Sequence, residues 1–208
     1  MEAFSISGCL RFGWDTFKKR PWYLIGVFLL TTVGSSLLSQ IITKGGDSGG
    51  TLLAVVAFVV NFAVNMLVGL GLITFILKAH EAVEAVTLAD LWRPSLFWNY
   101  ATASIIYGVI VGIGLVLLII PGIIFMLMYW FTCYIVVDQG FSPIDALKES
   151  ARITRGHRWD LFLLFLAVVA LNIVGAILLF VGLLISVPVT MLAVVHAYRT
   201  LVRPAPVA

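Results

Sequence analysis

Apolar residues in this chain come in long blocks separated by short charged segments, and the blocks have the length of membrane spans. The hydrocarbon core of a bilayer, about 30 Å thick, takes about 20 helical residues to cross. One block runs from Trp22 to Ile42 and a second from Thr51 to Leu77, with Thr43-Lys44-Gly45-Gly46-Asp47-Ser48-Gly49-Gly50 between them reading as a flexible turn. Residues 101–137 carry no charged side chain. As one helix they would measure about 55 Å at 1.5 Å per residue, so they must cross twice. Pro121-Gly122 is the natural break, giving spans of about 101–120 and 122–137. Residues 161–198 contain no Asp, Glu, Lys or Arg either, and a turn near Phe180-Val181-Gly182 divides that region into spans 161–180 and 182–202. Pro188 then falls inside the last span, where it should kink the helix or loosen one turn. The pattern predicts an all-α polytopic membrane protein, a single integral membrane domain over 1–208 with about six transmembrane helices.

The segments between the blocks have their own periodicity. Ser142-Pro143-Ile144-Asp145 reads as an N-cap, a proline at the first helical position and an acid in the first turn, with Gly156 as a C-terminal stop. Ile144, Leu147, Ala151 and Thr154 share one face of that helix, and Asp145, Lys148, Arg152 and Arg155 follow a neighbouring polar stripe. Such a helix can lie in the headgroup plane. At the N-terminus Ile6, Leu10, Trp14 and Phe17 form an apolar stripe, and Arg11, Asp15 and Lys18 a polar one. Shifted by 137 residues, Ser5, Leu10, Lys18, Trp22, Leu24 and Phe28 align with Ser142, Leu147, Arg155, Trp159, Leu161 and Phe165. A shorter version follows at Thr87-Leu88-Ala89-Asp90, ahead of Trp92 and Trp98. The architecture expected is three copies of an interfacial amphipathic segment followed by a transmembrane hairpin.

Charge sets the orientation. Of 13 Lys and Arg residues, all but Lys44 fall on one side of a six-span arrangement. Lys and Arg near span ends resist translocation, so that side is the cytoplasmic one and both termini lie there. Composition agrees: 62% hydrophobic and 11% charged, against roughly 45–50% and 25% in soluble domains. The first 21 residues hold Glu2, Arg11, Asp15, Lys18, Lys19 and Arg20 and no apolar stretch of signal-peptide type, so the first span should itself direct insertion. A net charge of +3 does not point to nucleic acid, because the basic residues flank spans instead of forming one patch. The expected partners are the lipid bilayer and anionic lipid headgroups. Cys9 and Cys133 fall in a cytoplasmic segment and in a span, where no disulfide joins them.

Polar side chains at membrane depth are costly and mark packing or function. Asn61 and Asn65 lie one turn apart in the second span and Asn172 lies mid-span in the fifth. They either line a polar path or hydrogen-bond helices together. No Asp, Glu, Lys or Arg sits at mid-depth, which argues against a carrier coupled through a buried carboxylate. Ser104, Gly108 and Gly112, with Gly114 and Gly71, offer smooth helix faces for bundle packing or for a homo-oligomer or membrane-protein partner. His80, His157 and His196 all fall at the cytoplasmic interface near Glu81, Glu84, Asp138 and Asp160, and His80 with Glu84 has an i, i+4 spacing that suits a metal. Interfacial histidines capping helix ends are the alternative. There is no G-x-S-x-G elbow, no Walker-type loop, no H-E-x-x-H and no paired Cys motif, so no catalytic set and no cofactor are expected.

The run from Ile135 through Asp138-Gln139-Gly140-Phe141-Ser142-Pro143-Ile144-Asp145 to Ser150, continuing to Gly156-His157-Arg158-Trp159, resembles the signature region of a group of uncharacterised bacterial six-span proteins. The group includes the membrane domain attached to some glycerophosphoryl diester phosphodiesterases. Gly13-Trp14 with Phe17-Lys18-Lys19-Arg20-Pro21 resembles the entry segment of such proteins. The resemblance implies an inner-membrane protein and carries over no catalytic residue, since the hydrolase chemistry of fused members lies in a separate barrel. Three classes of function stay open: a membrane scaffold or organising protein, a transporter or channel for a small solute or lipid, and a membrane enzyme with a cytoplasmic-interface site.

Overall fold

The computed structural model describes residues 4–47, 50–178 and 181–202. Helix α1 (Ile6–Lys19) leads into a hairpin of α2 (Pro21–Asp47) and α3 (Gly50–Ala82). Two 3₁₀ turns, Leu88–Leu91 and Pro94–Leu96, lead into α4 (Phe97–Leu117), which pairs with α5 (Ile119–Met128) and its continuation α6 (Thr132–Gln139). Helix α7 (Pro143–Ile153) leads into the hairpin of α8 (Arg158–Ile177) and α9 (Leu183–Val202). There is no strand among the described residues, and six helical stretches are long and apolar enough to cross a membrane.

Each lead-in segment has the cap its sequence provides. The Ser5 hydroxyl accepts from the Gly8 N–H, the Ser142 hydroxyl accepts from the Asp145 N–H with Pro143 at the first helical position, and Thr87 and Asp90 form a reciprocal capping box. The first membrane helix of each unit then carries a tryptophan as its second residue: Trp22, Trp98 and Trp159, exposed to 85, 76 and 70%. Tryptophans so placed suit a membrane–water boundary, where an apolar ring can also keep its N–H hydrated.

The three units interlock in a ring. Each lead-in packs against the second membrane helix of the unit before it: the Leu88–Leu91 turn against α3, α7 against α6, and α1 against α9, which closes the cycle. Burial follows from this. It concentrates in the half of the bundle next to the charged segments, at Leu70–Ala79 of α3, Thr132–Val137 of α6 and Pro188–Tyr198 of α9. Toward the other end, α2 and α3 expose Leu37, Ile41, Leu52, Val56 and Phe58, side chains that suit acyl chains.

Several expectations are corrected. The segment Thr43–Asp47 is helical and extends α2, because continuing an existing helix adds one hydrogen bond per residue fixed; Ser48 and Gly49 lie outside the described residues. Pro121 does not break the chain. The break is at Leu118, in an extended conformation, and Pro121 occupies the first turn of α5, where its missing N–H has no intrahelical acceptor to lose. Gly122 is needed there for space: a Cβ would come within 2.6 Å of the Leu115 nitrogen. Of the turn expected near Phe180-Val181-Gly182, Phe180 lies outside the described residues, Val181 and Gly182 form a turn ahead of α9, and Pro188 sits inside the α9 helix.

The amphipathic faces are rotated from those expected. Helix α1 buries Cys9, Gly13, Thr16 and Phe17 against its neighbours and leaves Trp14 exposed. Helix α7 buries Ala146, Leu147, Ser150 and Ile153, while Ile144 is 59% exposed. The reason for the second rotation is visible at Tyr129–Phe131, where the helix of α5 and α6 is interrupted. The freed Met128 carbonyl accepts from Ser150 Oγ at 3.0 Å and Thr154 Oγ1 at 3.2 Å. A backbone acceptor left unpaired in an apolar interior is costly, so α7 turns its small hydroxyl residues inward to meet it.

Candidate functional site

The inner helices α3, α6 and α9 end together at the charged end of the bundle, and their last turns hold a connected polar cluster. Arg199 of α9 donates to Asp138 of α6 through Nη1 at 3.0 Å, and its Nη2 lies 2.9 Å from the second carboxylate oxygen. The same Nη2 donates to Glu81 of α3 at 2.5 Å. Tyr198 donates its hydroxyl to Asp138 at 2.9 Å and accepts from the Gln139 amide at 3.2 Å. Asp138 and Arg199 are largely shielded, whereas Glu81 is more than half exposed. The Arg–Asp pair is the strong, two-pronged kind of contact that fixes orientation as well as charge. Beneath it the interior is filled by Phe75, Phe131, Ile135, Leu192 and Tyr198.

Beside this cluster lies a cleft of about 190 Å³ lined by Thr74, Leu77, Lys78, Glu81, Arg93, Val137, Asp138 and Arg199. Lys78 is ion-paired with Asp90, which joins α3 to the turn that precedes Arg93. The Arg199 Nε–H is buried without a hydrogen-bond partner among the described residues. Sequence reasoning missed this cluster because its members are about 60 to 120 positions apart. The available signal was a charged or hydroxyl residue at the end of every second membrane helix.

The predicted histidine group is only partly assembled. His80 Nε2 and His196 Nδ1 are 3.1 Å apart, and Phe12 of α1 lies against both rings, with centroids 4.6 and 4.2 Å away. His157 is elsewhere, 3.3 Å from Asp160 and against Phe4. Glu84 lies beyond the end of α3, where its carbonyl accepts from Arg20 at 2.8 Å, so His80 and Glu84 do not share a helical face. Among the described residues no group of three or more His, Cys, Asp or Glu side chains is placed to hold a metal ion.

Of the predicted intramembrane asparagines, Asn61 and Asn172 join the helices of their own hairpins, while Asn65 bonds to Asn61 on the same helix. Ser39 of α2 donates to the Asn61 side chain at 3.3 Å, and the Asn65 amide donates to Asn61 Oδ1 and to its carbonyl at 2.6 and 2.8 Å. Asn172 of α8 accepts from Ser186 at 2.9 Å and donates to Thr190, 3.4 Å away, on α9. The middle hairpin has a counterpart in Ser104 and Cys133, 3.3 Å apart. Of the small residues expected to pack, Gly71 and Gly114 face close neighbours, while Gly108 and Gly112 face open space. Both cysteines are free thiols. Burial pushes the Cys9 thiol up to about 11. Outside the spans, the hydrogen bond from Lys18 holds Asp15 below the usual carboxylate range, and Arg152 does the same for Glu149.

The chain is 31% identical, over an alignment of 238 residues, to the uncharacterized protein Rv2560 of Mycobacterium tuberculosis, with 99% of this chain and 73% of that protein covered. The uncharacterized protein Mb2590 of Mycobacterium bovis matches to the same extent. The chain belongs to their family. No family model and no solved structure matches it. The six apolar helices of this chain fit a multi-pass membrane protein, and the names of these relatives do not mention a phosphodiesterase.

Proposed function

We propose that this protein is a non-enzymatic organising protein of the bacterial inner membrane, with both termini and the charged end in the cytoplasm. The resemblance to the membrane domain of glycerophosphoryl diester phosphodiesterases fits this reading as a membrane module without hydrolase chemistry. The observation that carries it is the use made of the intramembrane polar groups. Asn61, Asn65 and Asn172 are hydrogen-bonded to side chains and backbone of their own hairpins, and the charged end is closed by large apolar side chains. A solute path needs polar groups that can replace hydration along its length. What the bundle offers instead is a collar of α1, the 3₁₀ turns and α7, with exposed charge at Arg11, Asp15, Lys148 and Arg152. That surface suits docking of cytoplasmic partners and anionic headgroups.

Liposome leakage tests the reading. Proteoliposomes containing the original chain and the Asn61→Leu, Asn65→Leu double variant should leak small solutes equally, with a modest loss of stability in the variant, since interhelical hydrogen bonds in membranes average about 0.6 kcal/mol. A selective flux that disappears in the double variant at unchanged abundance would replace the organising role with that of a transporter. Orientation is tested separately: reporter fusions at Gly46 and at the C-terminus should report opposite sides of the membrane.

A further inference from the structure

We propose that the cleft beside Arg199 is a binding site for an amine-terminated phospholipid headgroup, phosphoethanolamine on its lipid. Lys78, Arg93 and Arg199 face Asp90, Glu81 and Asp138, so the total is balanced, but the pairing is not even. Lys78 has Asp90. Arg199 has two carboxylates, and Asp138 alone takes both of its Nη donors. The Arg93 side chain has no hydrogen-bond or ion-pair partner among the described residues. The cleft therefore has a surplus cation at Arg93 and a surplus carboxylate at Glu81. A ligand that matches it carries a negative and a positive group joined by a short linker.

The chemistry of each end narrows the class. A guanidinium presents a fork of N–H donors suited to phosphate, and Lys78 still has donor capacity beyond Asp90. The Arg199 Nε–H is a further buried donor that lacks an acceptor. Glu81, exposed on its outer side, accepts N–H bonds from an ammonium. Choline carries the same charge without any N–H, and a glycerol terminus lacks the positive charge. At about 190 Å³ the cleft has room for such a headgroup, since a water's share of liquid volume is about 30 Å³.

Position supports a lipid over a soluble phosphoamine. Arg93 lies between Trp92 and Trp98, both strongly exposed, and Trp98 is one of the three tryptophans that start the membrane helices. The cleft thus opens at the level where headgroups lie, with acyl chains able to run along the exposed apolar face of α4 at Ile105 and Val109.

Native mass spectrometry of the full chain in detergent, titrated in parallel with phosphatidylethanolamine, phosphatidylglycerol and phosphatidylcholine, tests the assignment. The expected result is preference for the ethanolamine lipid by about fivefold, the scale of an exposed charge contact. Arg93→Gln should lower binding of the ethanolamine and glycerol lipids alike. Glu81→Gln should lower only ethanolamine lipid binding and leave or improve that of the glycerol lipid. Lys44→Gln, at an exposed site in the last turn of α2, away from the cleft and the collar, should change neither. Both cleft residues are exposed, so the variants should retain the fold, which circular dichroism and melting would verify. Equal binding of all three lipids, or loss of glycerol lipid binding in Glu81→Gln, would overturn the proposal. Soluble phosphoethanolamine competing as well as the lipid would overturn its lipid part.

Discussion

Replacing Gly13 with alanine should open the joint that closes the ring. An added Cβ would stand 2.4 Å from the Val189 carbonyl oxygen and 3.1 Å from the Ala193 nitrogen, against ordinary contacts of 3.4–4 Å. Both are backbone atoms of α9, so no flexible side chain can turn aside and α1 must move out by about 1 Å. Overpacking of this kind costs about 1–3 kcal/mol. Alanine is the better helix former by about 1 kcal/mol, which offsets part of that cost. Cys9 reports the outcome, since it lies one turn before Gly13 and is buried against the same helix. Its thiol is pushed up to about 11 by that burial, so at pH 7.5 it should react with a maleimide only when α1 opens. With Cys133 replaced by serine, Gly13→Ala should raise the labelling rate about fivefold or more and lower the melting temperature in detergent. Gly26→Ala is the control: nothing lies within 4 Å of its added carbon, and the helix-propensity gain should leave stability equal or higher. Unchanged Cys9 labelling in Gly13→Ala would refute the claim that this contact holds α1 in place.

Asp138→Asn should cost roughly 1.5–3 kcal/mol in thermal unfolding, the scale of hydrogen bonds to a shielded charge, while Glu81→Gln, at the exposed end of the same network, should cost less than about 1 kcal/mol. Leu147→Asp should destabilise the protein strongly because the side chain is buried in the bundle, whereas Ile144→Asp, on the exposed face, should be mild in the same melting assay. Glu149 has a depressed pKa from its bonds to Arg152, so the stability it adds is present above the ordinary carboxylate range and is lost as pH falls through the lower folded value. Melting scans from pH 7 down to 3 should therefore converge for the original and Glu149→Gln proteins at the acid end, and curves that stay parallel would contradict this.

The spans were legible because charge is excluded from lipid over long, uninterrupted runs, and the caps at Ser5, Thr87 and Ser142 were legible because their bonds are local. The buried faces of α1 and α7 were not, because close approach of backbones selects small residues. Hydrophobicity pointed to Ile6, Leu10 and Phe17, which do pack inward, and to Trp14, which is exposed, but gave no sign of the buried Cys9, Gly13 and Thr16 beside them. The break at Leu118 was misplaced at Pro121 because proline is disruptive only where its nitrogen has a hydrogen bond to lose. Asn61, Asn65 and Asn172 were found as polar positions in spans, yet which partner each would meet depended on hairpin register. The Glu81–Arg199–Asp138 cluster needed the full threefold arrangement before its members could be brought together.

The seating of α1 on α9 has a consequence for biogenesis. Ribosomes deliver a chain from its N-terminal side, so α1 emerges well before the α9 helix that carries its docking groove. Until α9 is inserted, the Gly13 face has no seat, and α1 must wait as a free amphipathic rod at the boundary, held by Trp14 and its lysines. The ring closes only by this delayed contact between segments made far apart in time, and a chain truncated before α9 would leave that seam open for quality-control proteases to find.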